Sequence, residues 1–362
     1  MVADARVRPL ARHRPRPAPP AGRPPVAPVA LGLAVLLLIS MVIALGIGSV
    51  QVPWTDVVAV IARRLRLIEG AGVTALQDDI VWRLRAPRVL GAACVGAVLA
   101  VCGAVLQSLT GNELADPYLL GVSSGASVGA VFVLVFGVGV LAPQSLLMMA
   151  ASFAGALAAL AIVLALARGR SGDLPASRTI LAGVAVGQLC GALTSLMIMV
   201  FGHNTAARSA MEWMLGTMAG LRWPTTSITL VLAAAVLALT LGHARTLDAF
   251  SFGESAAASL GVAVNRARWT LMLGTALAAA GTVAFVGPIG FVGLTVPHIV
   301  RFLVGARHAV LLPLSAAAGA ILLIWSDTAA RSLTSSEIPI GIVTAVVGTP
   351  VLIHLLRRRA RA

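Results

Sequence analysis

Charged positions in this chain fall in the gaps between long apolar runs. No Asp, Glu or Arg occurs in 24–55, 89–112, 117–167, 179–207, 223–244, 269–300, 308–326 or 338–356. A helix rises about 1.5 Å per residue and crosses a roughly 30 Å hydrocarbon core in about 20 residues, so most runs hold one crossing. The runs 117–167 and 269–300 have room for two. The pattern predicts an all-α membrane protein with ten transmembrane helices, near 29–50, 89–109, 117–137, 146–167, 179–201, 224–242, 269–287, 289–304, 309–326 and 338–356.

Arginine placement orients this bundle. Residues 1–23 carry six arginines (Arg6, Arg8, Arg12, Arg14, Arg16 and Arg23) and the other end carries four (Arg357, Arg358, Arg359 and Arg361). Positive charge favours the cytoplasmic side, so both termini are expected there. Residues 1–25 read as a disordered Arg/Pro-rich tail, 26–356 as the transmembrane domain and 357–362 as a short basic tail. The first apolar run is too long for a signal-peptide core and reads as an uncleaved helix. Ten crossings leave 18 arginines inside and nine outside. Six of those nine, Arg63, Arg64, Arg66, Arg83, Arg85 and Arg88, lie between the first two crossings, where the orientation rule disfavours them. In Arg85-Ala-Pro-Arg88 the proline is expected to start a helix and leave both guanidiniums at the outer rim, where they could hold an acidic partner by bidentate pairs.

Composition narrows the function class. With 59% hydrophobic and 11% charged residues, the chain is far from a soluble domain, in which about a quarter are charged. The net charge of +14 does not indicate nucleic acid, because the basic residues lie in tails and loops without a basic face carrying aromatics. Cys94, Cys102 and Cys190 sit in apolar runs as small packed hydrophobes. Of the six histidines, His203, His243, His298, His308 and His354 are scattered through the part of the chain after the tail, so no metal site is expected, and no cofactor either. There is no Gly-x-x-x-x-Gly-Lys-[Ser/Thr] phosphate loop and no legible hydrolytic triad, so the chain is not expected to be an enzyme. An ion-coupled secondary transporter is the rival class, but such proteins hold acids or bases near the bilayer centre. Here the acids mark run ends.

Glycine and proline then mark where backbone comes close or breaks. Asp116-Pro117 places an N-cap acid before a first-turn proline, predicting that the third helix opens there. Gly121, Gly125 and Gly129, and again Gly183, Gly187 and Gly191, recur every four residues, the spacing of a close-packed face. Gln107, Ser123, Ser124, Ser127 and Thr194 are candidate weakly polar lining of a path. Segment 287–297, with Gly287, Gly290 and Gly293 between Pro288 and Pro297, is expected to break at membrane depth, where freed carbonyls need protein partners or a water-filled cavity. The segment 244–268 is long, polar and interrupted. Between Glu254 and Leu260 it reads as a short helix stopped by Gly261, with Phe250, Phe252 and Leu260 on a surface that wants a partner.

Four blocks together resemble the iron-siderophore, haem and cobalamin family of ABC importer permeases, over roughly 80–358. They are Arg85-Ala-Pro-Arg88; Gly96 to Gln107, continuing through Asn112-Glu-Leu-Ala-Asp-Pro117 to Gly121-Val-Ser-Ser-Gly125; Gly253-Glu254 to Leu260-Gly261; and Gly287-Pro-Ile-Gly-Phe-Val-Gly-Leu-Thr-Val-Pro-His298-Ile-Val-Arg301 with Asp327-Thr-Ala-Ala-Arg331 and Glu337-Ile-Pro-Ile-Gly. Glu113 departs from the proline usual in that family after the asparagine. The resemblance implies a type II importer in the bacterial plasma (inner) membrane: two permease subunits, identical or paralogous, around one path, a cytoplasmic ABC ATPase dimer, and an extracytoplasmic substrate-binding protein. It implies that Arg85, Arg88 and Arg331 dock the binding protein. Leu247, Phe250, Gly253, Glu254, Ala257, Leu260 and Gly261 would contact the ATPase. Gln107, Ser123, Ser124, Gly125, Ser127, Gly287, Gly290 and Gly293 would line the path or pack helices. Iron transport, as a ferric siderophore, is the cargo expected first, with haem and cobalamin as the alternatives.

Overall fold

The computed structural model describes residues 25–48, 50–67, 72–137, 144–169, 172–334 and 336–359. The expected N-terminal tail lies almost wholly outside these residues. Among them the chain is helical throughout: α1 (Val26–Gly46), α2 (Trp54–Arg64), α3 (Ala75–Asp78), α4 (Ala86–Thr110), α5 (Val122–Phe136), α6 (Gln144–Ala167), α7 (Ala176–Leu196), α8 (Asn204–Met214), α9 (Trp223–Gly242), α10 (Ala244–Phe250), α11 (Glu254–Ser259), α12 (Val264–Val286), α13 (Val292–Val304), α14 (His308–Ser332) and α15 (Ile340–Arg359). Seven helical stretches are long and apolar enough to span a bilayer, and three shorter apolar helices, Val122–Phe136, Val292–Val304 and Ile340–His354, occupy the other predicted crossings.

The burial of each span follows from its residues. The span that includes α4 is 89% buried, against 17% for α1 and 11% for α7. Small residues make this possible: a Cβ added at Gly96 would meet the Gly319 carbonyl on α14, and one at Gly103 would meet the Gly293 carbonyl on α13. Backbones touch there, so van der Waals contact replaces the hydrophobic drive that lipid removes. A second packet forms where Gly125 and Gly129 of α5 meet the backbone of α6 at Gly155 and Ala151. Gly183 of α7 sits on the Leu119 carbonyl, while Gly191 has open space around it.

Four boundaries differ from the sequence expectation. The third crossing does not open at Pro117: Asp116 accepts the Tyr118 N–H at 2.8 Å to cap a 3₁₀ turn (Pro117–Leu120), Gly121 turns at φ +73°, and α5 starts after it. Arg85-Ala-Pro-Arg88 does not open a helix either, because α3 runs through a π segment (Asp79–Arg85) straight into α4. Pro87 cannot donate to the carbonyl four residues back, and the turn before it is widened. The break after α12 is confined to 287–291, with Pro297 inside α13. Finally, α14 runs on to Ser332, carrying Asp327 and Arg331 on its last turns, and α15 continues through Arg359 into the expected basic tail.

Candidate functional site

At one end of the bundle the sequence-predicted arginines converge, and their guanidiniums are already bonded. The last carbonyls of α1 have no partner within their own helix, and α1 has no basic residue in its last turn. Arg85 supplies what is missing, donating from Nη1 to the carbonyls of Leu45 at 2.9 Å and Gly46 at 3.0 Å, and from Nη2 to Val50. Arg331 does the same for Ile47 at 2.5 Å and for Ala44. Two cations on the negative end of the α1 dipole are favourable. They also anchor α1, one of the least buried spans, to the core.

Arg88 faces a different set. Its Nε and Nη2 donate to Asp327 at 2.9–3.1 Å, and its Nη1 and Nη2 to Glu337 at 2.9 and 3.1 Å. The Asp327 side chain is 2% exposed and that of Glu337 is 49% exposed. The Arg88 hydrogen bond holds the Glu337 carboxyl below its ordinary value, against the opposing pull of partial burial. This pair therefore persists through neutral pH and is lost only as pH falls through that lowered value. Around the group lies a cavity of about 460 Å³ lined by Arg85, Arg88, Arg222, Arg331, Glu337 and small or apolar neighbours. Sequence reasoning had placed Arg85 and Arg88 on the rim; the continuous helix through Pro87 turns Arg85 inward to 7% exposure. Arg222 was not singled out. It donates from Nη1 to the Ala219 and Leu221 carbonyls and is an exposed part of the cavity lining.

The predicted break carries its own wiring. Gly287 turns at φ +72°, and a Cβ there would meet the Trp213 carbonyl. Phe291 has φ +71°, rare for a bulky residue, and its ring lies where Gly348 leaves room. Tyr118 Oη accepts the Ile289 N–H at 3.0 Å and donates to the Ile289 carbonyl at 3.2 Å. Pro297 leaves the Gly293 carbonyl without its helical donor, and Gln107 Nε2 donates to it at 3.3 Å and to Leu294 at 3.1 Å. Gln107 Oε1 in turn accepts from Arg301 at 3.2 Å. Gln107 thus serves the freed carbonyl. Ser127 bonds back to the Ser123 carbonyl at 3.1 Å, and Ser123 and Ser124 are half-buried.

The opposite end holds the segment 244–261. Leu247, Phe250 and Ala257 face inward and are buried, whereas Phe252 is 78% and Leu260 69% exposed. Glu254 opens α11 and pairs with Arg268 Nη2 at 2.9 Å, and Arg268 stacks its guanidinium 5.7 Å from the Phe250 ring centre. Gly253 and Gly261 bracket α11 at φ +96° and +82°, with open space where a Cβ would project. A valine at Gly261 therefore clashes with nothing but must hold a left-handed conformation, at a cost of about 1–2 kcal/mol. Gly261→Val should keep the midpoint of thermal unfolding while displacing α11; pull-down of the cognate ATPase reads the displacement, and normal assembly would reduce the segment to a connector.

The FecCD transport family profile matches residues 36–358. The chain belongs to that family. This FecCD permease is 41% identical over 317 residues to a cobalamin import system permease of Halobacterium salinarum, covering 87% of this chain and 82% of that one. It is 42% identical over 286 residues to a vitamin B12 import system permease of Vibrio cholerae, covering 79% and 85%. An ABC transporter permease of Bacillus subtilis, YvrB, whose name carries no cargo, is 37% identical over 331 residues, covering 90% and 92%. A solved metal-chelate type ABC transporter in an inward-facing conformation superposes with a TM-score of 0.79 at 30% identity, over 92% of this chain and 99% of that one. As a FecCD permease the chain is a multi-pass subunit of an ABC importer, and ATP hydrolysis belongs to a separate ATPase subunit. Sequence reasoning on this permease missed Asp327, Asp248 and His308 as partners. A residue at the end of an apolar run shows its charge but not which distant arginine or carboxylate the fold brings to it.

Proposed function

We propose that this permease carries a cobalamin-class corrinoid, in place of the ferric siderophore that the sequence suggested first. The observation that carries the reading is the cargo named in the two relatives at 41–42% identity over most of both chains. In this reading ten helices cross the membrane with both termini in the cytoplasm. Two permeases enclose the path, an ATPase dimer sits under segment 244–261, and a binding protein sits over the arginine cavity. Both apolar side chains exposed on that segment, Phe252 and Leu260, support an ATPase contact. Proteoliposomes holding the permease, its ATPase and its binding protein should accumulate labelled cyanocobalamin with ATP, and not a ferric siderophore or haem. Uptake of either of those instead would overturn the cargo.

Docking in this reading is an exchange of carboxylates. Glu337 is the exposed partner of Arg88, so an acidic side chain of the binding protein gains Arg88 by displacing it, and Arg222 offers a second contact. Glu337→Gln should tighten docking several-fold at low salt, and Arg222→Glu should weaken it, both effects shrinking as salt screens the exposed charges. Equal affinities for the wild type and both variants, measured by surface-immobilised binding, would remove the cavity from the docking surface.

A further inference from the structure

We propose that Asp248, His308 and Ser108 are positioning residues that join segment 244–261 to the helix pair α4–α14, so that movement at one end of the bundle reaches the arginine cavity at the other. This rests on reading that segment as the ATPase-facing surface. The geometry is a hydrogen-bonded chain across three elements. Asp248 Oδ1 on α10 accepts the backbone N–H of His308 at 2.8 Å and lies 2.7 Å from its Nδ1. His308 Nε2 lies 2.6 Å from Ser108 Oγ on the last full turn of α4. A carboxylate against Nδ1 takes a hydrogen from it, and the Ser108 hydroxyl, which also lies 3.0 Å from the Ala104 carbonyl, has one hydrogen to share between that carbonyl and Nε2. His308 is 1% exposed and Ser108 9%, so the chain is shielded from water, where losing a partner is costly.

The attachment is also structural for α14. Arg307, at its N-cap, makes no side-chain cap bond, and the orphan N–H of the first turn is satisfied by Asp248 from the neighbouring element instead. A shift of α10 therefore either carries the start of α14 with it or breaks a discrete set of bonds. From this end α4 and α14 run antiparallel through the bundle. Their backbones touch midway at Gly96 and Gly319, and Arg88 on α4 grips Asp327 on α14 at the far end. The pair is clamped at three levels, as a body that moves together would be, and its far end bears two of the cavity's arginines, Arg88 and Arg331.

The test uses the full complex of permease, ATPase and binding protein in nanodiscs. His308→Asn keeps an amide for Asp248 but loses Ser108; Ser108→Ala removes the other half of that bond. Both should lower the thermal midpoint modestly, because each leaves a buried group without its partner, and should leave basal ATP hydrolysis within about twofold. Stimulation of hydrolysis by the binding protein should fall at least fivefold. The double variant should be no worse than either single one, because both cut the same link, and His308→Gln, whose amide can reach Ser108, should recover part of the stimulation. Unchanged stimulation in both single variants would overturn the proposal. So would a loss of stimulation that merely tracks a fall in midpoint and basal rate, since that is what a packing role alone produces. A cysteine at Phe252 or Leu260, cross-linked to the ATPase in an otherwise wild-type chain, tests the underlying reading separately: without a cross-link that reading fails, whatever the relay variants do.

Discussion

Gly103→Val should prevent recovery of a folded permease, while Gly290→Ala should leave it intact. A Cβ at Gly103 would fall within 2.7 Å of the Gly293 Cα and closer still to its carbonyl, all of it backbone on α13. No rotamer change can make room, so α4 and α13 must separate. Overpacking a core ordinarily costs about 1–3 kcal/mol, and this contact belongs at the top of that range or beyond because Gly293 is also pressed by Leu99 of α4 and by Pro117. Gly293 faces Pro117 Cδ at 2.7 Å and the Leu99 carbonyl at 2.9 Å from an added Cβ. Gly290 has nothing within 4 Å. Thermal unfolding and size-exclusion profiles in detergent separate the two, and a Gly103→Val protein with a wild-type midpoint would show that the helices yield there. Since a Cβ at 290 meets open space, lost uptake in a Gly290→Leu protein that keeps the wild-type midpoint would report on the cargo route.

Gly103 also shows what the sequence could and could not convey. Apolar run length located the seven long spans and the three shorter apolar helices among the described residues, because the lipid sets a common length for a crossing. The break after α12 was legible in Gly287 and Pro288, and so was the need for donors to carbonyls freed by proline. That Gln107 supplies one of them was not, since nothing local ties residue 107 to residue 293. Four-residue glycine spacing marked the faces of α5 and α7, yet Gly96 and Gly103, seven apart on α4, make the contacts that hold the centre of the bundle. Ends of helices were least legible: a proline at 87 and another at 117 suggested helix starts, and tertiary bonding to α1 and a capped 3₁₀ turn overrode both. Charges were legible at the ends of apolar runs, but their partners lie as far as 287 residues away.

Asp327→Ala should destabilise the permease by about 3–5 kcal/mol, the range for removing one member of a buried ion pair. Asp327 is 1% exposed and lies between two cations, bonded to Arg88 at 2.9 Å and 3.6 Å from Arg331. Its loss leaves Arg88 with Glu337 alone and Arg331 with carbonyls alone, two cations sharing a space that one acid had neutralised. Charge reversal at Arg88, which the resemblance would suggest as a docking test, carries the same hazard. Arg88→Glu sets three carboxylates together, so a loss of binding would follow from a damaged helix pair as readily as from a missing contact. A well-packed apolar replacement of both partners, Arg88→Met with Asp327→Leu, should recover much of the midpoint. Arg222→Glu, at the open mouth of the cavity, should leave the midpoint unchanged and act on docking alone. The assignment is decided by measuring both quantities on all of these variants. If Asp327→Ala keeps the wild-type midpoint and loses only binding-protein affinity, the Arg88–Asp327 pair is a docking device and not the clamp between α4 and α14.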